Sequence, residues 1–245
     1  MNEILNKQQE LNFRIKINSI IFLKDKLNKN KLDEGYIATG FLVNYKKSYY
    51  VFSCGHVIKK FKEDKDIACY LDISEKIKIT LRDIDYIEYD TDILDVGYMR
   101  LKVEFEKYKL SLLSLYHEDF YFQDPEWGKD YIYLYGYPAE FLNFSNNNEK
   151  YESGALSLGL TYTGIHKNKI FWQFKYPYKQ SEFSIPYPKG LSGCAIWKIE
   201  GNDYTMEDYT KAKVIAVGHT WETRKNLYYV TPIKYFFSLI DKQDS

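Results

Sequence analysis

Cysteine is scarce in this chain: Cys54, Cys69 and Cys194 are the only three in 245 residues. The number is odd and no C-x-x-C spacing occurs, so neither a fully paired disulfide framework nor a zinc-ribbon pattern is expected. Net charge is lacking too. Lys+Arg and Asp+Glu balance at 34 each, which leaves no global field to attract nucleic acid or an anionic membrane. No apolar run approaches the roughly 18 residues of a membrane-spanning helix. The opening residues, MNEILNKQQELNFRIK, hold no apolar h-region, so no secretory signal is expected there. Internal repeats and low-complexity tracts are missing as well. Free thiols without a leader point to a reducing, cytoplasmic setting. Nothing in the pattern asks for a metal or a cofactor.

Aromatic residues, by contrast, are plentiful. There are 25 Tyr and 15 Phe, residues that favour strands, although an AT-rich genome would supply part of the excess. From about residue 13 the texture is short apolar or alternating runs: FRIKINSIIFL, YIATGFLVNY, SYYVFSCGHVI, KIKITL, LDVGYMRL. Clusters of Lys, Asn, Asp and Gly separate them, and YKKSYY (45–50) reads as a hairpin tip. A second series follows: DYIYLYGYP, ALSLGLTYTG, KIFWQFKY, GCAIWKI, AKVIAVGHTW, NLYYVTPI. Between the two series the chain loses its rhythm.

The expected organisation is all-β, two packed six-stranded antiparallel barrels. Lobe 1 covers about 14–105, a linker 106–128, and lobe 2 about 129–232. At the end, PIKYFFSLIDK places Ile233, Phe236, Phe237 and Ile240 at helical spacing, which predicts a closing helix in 233–245. Residues 3–12 are polar with Ile4, Leu5 and Leu11 scattered, a pattern that allows a short N-terminal helix.

Chemistry enters with KGLSGCAIW (189–197), where Ser192 stands between glycines before a strand-like run. A tight turn explains such a stretch, and so does a nucleophile presented beside backbone N–H groups that bind an oxyanion. The second reading needs a base and an orienting acid. His56 leaves the end of a β-run through Ser53-Cys54-Gly55, well placed to face a cleft. Asp95 stands at the mouth of the strand Val96–Leu101, where a buried charge needs a partner such as a histidine N–H. Taken alone, His56 also reads as a half-buried structural histidine and Asp95 as a turn cap. Asp90 and Asp92, in the polar lead-in, read as solvated. In combination, His56 and Asp95 lie in the first strand series and Ser192 in the second, across a cleft between two lobes.

These residues resemble the trypsin-like (chymotrypsin-fold) serine peptidases, over about residues 14–235. TGFLV (39–43) resembles the strand before the histidine, SCGHV (53–57) the histidine motif and LDVGYMRL (94–101) the aspartate strand. YGYP (135–138) is similar to the segment opening the second barrel in bacterial members, and GLSGCAIW (190–197) to G-x-S-G and its strand. KVIAVGHTW (213–221) resembles the cleft-lining strand and YVTPI (229–233) the end of the domain.

The resemblance implies a serine endopeptidase with Ser192 as nucleophile, His56 as base and Asp95 as its orienting acid. It implies an oxyanion hole from the N–H groups of Gly190 and Ser192, and a protein or peptide substrate lying along Ala216, Val217, Gly218 and His219. His219 falls one position from where glutamate-specific relatives carry a histidine, and it also reads as a loop residue. Pro186, at the usual floor of the first pocket, asks for no basic side chain. Leu191 replaces the aspartate that pairs with a freed N-terminus in zymogen-activated members. The expected enzyme is therefore competent without cleavage, and regulated by a partner protein. Recruitment would fall to exposed loops at 24–35, 140–151 and 200–210. Cys194, opening the next strand, reads as a small core residue rather than a nucleophile. The alternative is a silent double barrel kept as a protein-binding module. An α/β-hydrolase esterase is disfavoured, because the order His, Asp, Ser and the missing G-x-S-x-G do not suit that fold.

Overall fold

A computed structural model describes residues 19–24, 37–71, 77–102, 110, 114–126, 130–145, 150–166, 170–177, 185–199 and 212–243. The N-terminal helix expected within 3–12 and the loop expected at 200–210 lie outside them, as does the loop expected at 24–35 apart from Lys24.

The first lobe is built from β1 (Ser19–Lys24), β2 (Ile37–Tyr45), β3 (Ser48–Ser53), β4 (Ile67–Leu71), β5 (Ile77–Ile79), β6 (Ile84–Asp90) and β7 (Val96–Leu101). Helix α1 (Gly55–Glu63) lies between β3 and β4. The strands form one antiparallel sheet in the order β5-β4-β1-β2-β3-β7-β6, curled into a half-barrel. This lobe thus has seven strands rather than the six expected, and among the described residues β5 and β6 remain its edges. The hairpin tip falls where YKKSYY placed it. Lys46 and Lys47 both take left-handed φ, 48° and 63°, and Tyr45 pairs with Ser48. That two-residue loop has the twist that matches a right-handed β-ribbon.

The second lobe is a closed antiparallel barrel of β8 (Tyr131–Gly136), β11 (Leu156–Ile165), β12 (Trp172–Lys175), β13 (Ala195–Ile199), β14 (Lys213–Glu222) and β15 (Leu227–Pro232). A separate hairpin, β9 (Leu142–Ser145) and β10 (Lys150–Ser153), occupies part of the loop expected at 140–151. Helix α2 (Lys234–Gln243) closes the chain and buries Phe236, Phe237 and Ile240, the face its spacing predicted.

Three large apolar clusters carry most of the packing, and a small fourth joins Ile21 and Leu23 to Tyr137. One fills the first sheet under α1, with Phe22, Leu42, Val51, Ile58, Phe61 and Met99. Another fills the barrel, with Leu134, Phe174, Leu191, Ile196 and Val230. The third lies between the lobes: Phe41, Phe52 and Tyr98 of the first meet Trp197 and Val214 of the second, with α2 sealing the seam. Phe236 stacks on Phe52 at 5.3 Å.

The segment between the lobes runs along this seam. Asn44 N–H donates to the Leu115 carbonyl at 2.7 Å and Leu115 N–H to the Leu42 carbonyl at 2.9 Å. Tyr121 N–H then donates to the Val214 carbonyl at 2.9 Å. A large dry seam bridged by backbone hydrogen bonds holds the two lobes in fixed relation, which a site shared between them requires.

Candidate active site

His56 is the second residue of α1. Cys54 caps that helix in extended conformation, φ −71° and ψ 157°. Gly55 is demanded by space, since a Cβ there would lie 2.2 Å from the Asp90 carbonyl oxygen. First-turn N–H groups of a helix have no intrahelical acceptor, and His56 uses its own to donate to Asp95 Oδ1 at 2.9 Å. Its ring Nδ1 faces Asp95 Oδ2 at 2.9 Å and Oδ1 at 3.2 Å. One carboxylate therefore holds the same histidine by ring and backbone, which fixes the imidazole's orientation and puts the free nitrogen, Nε2, on the far side.

Asp95 reaches this position through a left-handed backbone, φ 48°, an uncommon conformation outside glycine that Asp and Asn tolerate best. The loop before it is shaped by Asp90. Its Oδ1 accepts N–H groups from Asp92, Ile93 and Leu94 at 3.0, 2.8 and 3.2 Å. Asp90 is thus a turn-builder rather than a solvated lead-in. From the second lobe, Thr231 Oγ1 donates to the Leu94 carbonyl at 2.7 Å. Burial opposes the Asp95 charge. Even so, the hydrogen bond and charge of His56, the nearby His219 and the His56 backbone N–H hold its carboxyl below the usual carboxylate range.

Ser192 sits between Gly190 and Gly193, whose φ values of 96° and 87° bend the loop through the left-handed region. Thr39 of β2 grips this loop across the lobes. Its N–H donates to the Ser192 carbonyl at 2.8 Å and its Oγ1 to the Gly190 carbonyl at 2.9 Å. The same Oγ1 accepts Tyr137 N–H at 3.1 Å, and the Thr39 carbonyl accepts Ser53 Oγ at 2.8 Å. Nothing in TGFLV announced this role, because a buried threonine in a strand reads as an ordinary β-former. Thr39→Val keeps the shape and removes the hydroxyl. Leaving a buried carbonyl and N–H unpaired costs about 1–3 kcal/mol each, so a urea melt should show a loss of at least that size.

The N–H groups of Gly190 and Ser192 find no acceptor among the described residues. Gly193 N–H, by contrast, is taken by the Gly218 carbonyl at 2.7 Å. Ser192 Oγ donates to the His219 carbonyl at 3.1 Å, and no hydrogen bond joins it to His56. The neighbour of His56 Nε2 is Cys54 Sγ at 3.6 Å. Cys54, His56 and Asp95 form the only trio of donors among the described residues grouped closely enough to hold a metal ion, although His56 Nδ1 is already engaged by Asp95. Cys194 is fully buried, with its Sγ 3.4 Å from the Tyr228 hydroxyl. Burial pushes its thiol up to about 12, as suits a core residue.

The residues expected along the substrate divide into two groups. Ala216, Val217 and Gly218 are buried in the barrel wall. Ala216 pairs with Pro232 on one side and Ile196 on the other, Val217 with Thr231 and Ala195. Gly218 N–H and carbonyl are taken by Cys194 and Gly193. Their main-chain groups are spent. His219 is not a loop residue: it lies within β14, and only 6% of it is exposed. It is also where a bulge shifts the pairing with β15, between Gly218 and Thr220. From Thr220 onward β14 has left β13, whose pairing ends at Val217.

Burial pushes the His219 imidazolium pKa down to about 4, against an upward pull from Asp95. The unfolded chain protonates this group near pH 6.5 and the native one does not, so stability falls as pH drops from about 6.5 to about 4, by roughly 3 kcal/mol, then levels. Asp95 acts in the same sense lower down, its contribution being lost as pH falls through its depressed folded value. Urea midpoints followed from pH 7 to pH 4 should drop less in His219→Gln than in wild type.

No protein-family model matches the chain, and no curated protein matches it in sequence. Solved structures do match in shape. A serine endoprotease from Yersinia pestis superposes with TM-score 0.55 at 12% identity, covering 96% of this chain and 65% of that one. A thermostable serine protease from an extremophilic microorganism gives 0.50 at 13%, covering 90% and 92%. Catalytically inactive tobacco etch virus protease complexed with substrate gives 0.50 at 11%, covering 94% and 85%. A curled antiparallel sheet and a closed six-stranded antiparallel barrel packed about a seam constitute the chymotrypsin-like fold, and this chain has it.

Proposed function

We propose that this protein is a serine endopeptidase. The observation that carries the reading is the pairing of Asp95 with both the ring and the backbone of His56, opposite a glycine-flanked Ser192 whose loop offers two unpaired N–H groups. In this reading Ser192 Oγ attacks the scissile carbonyl while His56 Nε2 removes its proton. The tetrahedral oxyanion receives the N–H groups of Gly190 and Ser192. His56 then delivers its proton to the leaving amine, and water repeats the sequence on the acyl-enzyme. Asp95 remains ionised throughout and stabilises the imidazolium. The substrate is a protein or peptide, a reading supported by a protease of this fold complexed with its substrate. It adds as an extended strand along Thr220–Glu222, the part of β14 that β13 leaves uncovered, rather than along Ala216–Gly218.

The enzyme is regulated. Leu191 is fully buried in the barrel core and offers no carboxylate to a freed N-terminus. At rest the nucleophile hydroxyl lies on the His219 carbonyl, so forming the Ser192–His56 contact is the step that substrate or a partner protein drives. Catalytic hydrogen bonds commonly tighten only when substrate binds. Cys54, Cys69 and Cys194 are all unpaired, which supports a reducing, cytoplasmic setting. Among the described residues no helix is long and apolar enough to cross a membrane.

The resting position of Ser192 is also the observation that favours the other reading, a silent module that binds proteins. Mass spectrometry of new N-termini in a treated proteome decides between them. Cleavages made by wild type and absent with Ser192→Ala support the peptidase. Capture of partners without any cleavage would support the module.

A further inference from the structure

The mechanism above leaves the His219 imidazole unused. β14 carries it behind the triad. Its Nδ1 lies 3.6 Å from Asp95 Oδ2, the oxygen that faces His56 Nδ1 at 2.9 Å. The same nitrogen is 2.9 Å from Thr220 Oγ1. The Phe171 ring meets the imidazole edge to face at 4.5 Å, and Nε2 is buried without a hydrogen-bond partner. The carbonyl of this same residue accepts the Ser192 hydroxyl. One residue therefore touches the acid with its ring and the nucleophile with its backbone.

We propose that His219 is a positioning residue of the triad, a neutral imidazole that shares Asp95 Oδ2 with His56 and sets how strongly that carboxylate holds the catalytic ring. The proposal rests on the peptidase reading. Oxygens face Nδ1 from both Asp95 and Thr220, which assigns the proton to Nδ1 and the lone pair to Nε2. At 3.6 Å the contact with Asp95 is longer than a hydrogen bond. It acts as an N–H dipole on a charge, in a dry setting where screening is weak. The ionisable groups around it are Asp95 and His56 from the first lobe and His166 from the end of β11. A neutral ring draws part of the Asp95 charge without displacing His56, whereas a cation in its place would compete for the carboxylate. Taking the ring away returns the full charge to His56 and frees the carboxylate to move.

The test compares His219→Ala, the near-isosteric donor variant His219→Gln and, as a control, His166→Ala. Two readouts are used: NMR titration of the His56 imidazole, and kcat and KM on a peptide that the wild type cleaves. In His219→Ala the His56 titration and the acid limb of kcat/KM should both move to higher pH. kcat should fall about tenfold or more, as small misplacements of catalytic groups do, with KM within about twofold. Glutamine, retaining an N–H donor, should recover part of both. The proposal is overturned if His219→Ala leaves the His56 titration in place, or moves it no further than His166→Ala does. Because the titration needs no turnover, a wild type that titrates as described but cleaves nothing would sink the peptidase reading alone.

Discussion

Asp95→Asn is expected to lower kcat/KM by roughly ten-thousandfold while leaving the fold almost untouched. Both Asp95 oxygens accept from His56, one from the ring and one from the backbone N–H. An asparagine must place its NH2 on one of those two donors. Keeping its oxygen on the backbone N–H turns the amide nitrogen towards Nδ1, which then gives up its proton to Nε2. The imidazole adopts the wrong tautomer and cannot take the Ser192 proton. Folding should survive because asparagine, like aspartate, tolerates the left-handed φ of 48° at this position better than other side chains do. Steady-state kinetics beside a thermal melt checks both halves. A variant with near wild-type kcat/KM would remove Asp95 from the mechanism.

Gly193→Ala is expected to cost more than about 4 kcal/mol, the range reserved for severe core damage, and to abolish activity. The added Cβ would lie 1.9 Å from the Thr39 carbonyl oxygen and 2.0 Å from Ser53 Oγ, on a backbone with φ 87°. Neither neighbour can give way. Thr39 is bonded to Ser192 through its N–H and to Gly190 through its hydroxyl, so pushing it back withdraws β2 from the nucleophile loop. Gly159, on β11, is the control, since a Cβ there meets nothing within 4 Å. Gly159→Ala should be neutral or stabilise by up to about 1 kcal/mol. Urea denaturation of the two variants should separate them by several kcal/mol.

The parts of this molecule that were legible in the sequence are those written in local patterns. Alternating runs announced the strands, Lys46-Lys47 the hairpin tip, and Ile233, Phe236, Phe237 and Ile240 the closing helix. His56, Asp95 and Ser192 stood out because each is a polar residue set among small or apolar ones at a strand end, and their placement at one lobe interface follows from chain order. What escaped depends on side chains that turn back on their own backbone or reach across the seam. Asp90 carries no mark that it will fold over three N–H groups, and Thr39 none that it will grip residues 151 positions away. The exit of β14 from its pairing with β13, together with the bulge after Gly218, moves the open edge from Ala216–Gly218 to Thr220–Glu222. A bulge shifts register by a single residue, and no hydrophobic alternation records it. In the first sheet KIKITL already held β5, whereas β4 and β6 were not among the runs that stood out: β4 is an apolar run of only five residues, and β6 carries Asp85, Glu88 and Asp90 among its Ile and Tyr.

The central claim is that His56, Asp95 and Ser192 form a working nucleophilic site. Fluorophosphonate labelling of purified wild type, Ser192→Ala and His56→Ala tests it most directly, because the probe reacts only with a serine activated by its base. Labelling of wild type at Ser192, lost in both variants, is the predicted result. A folded wild type that stays unlabelled, alone and with added peptide substrate, would contradict it.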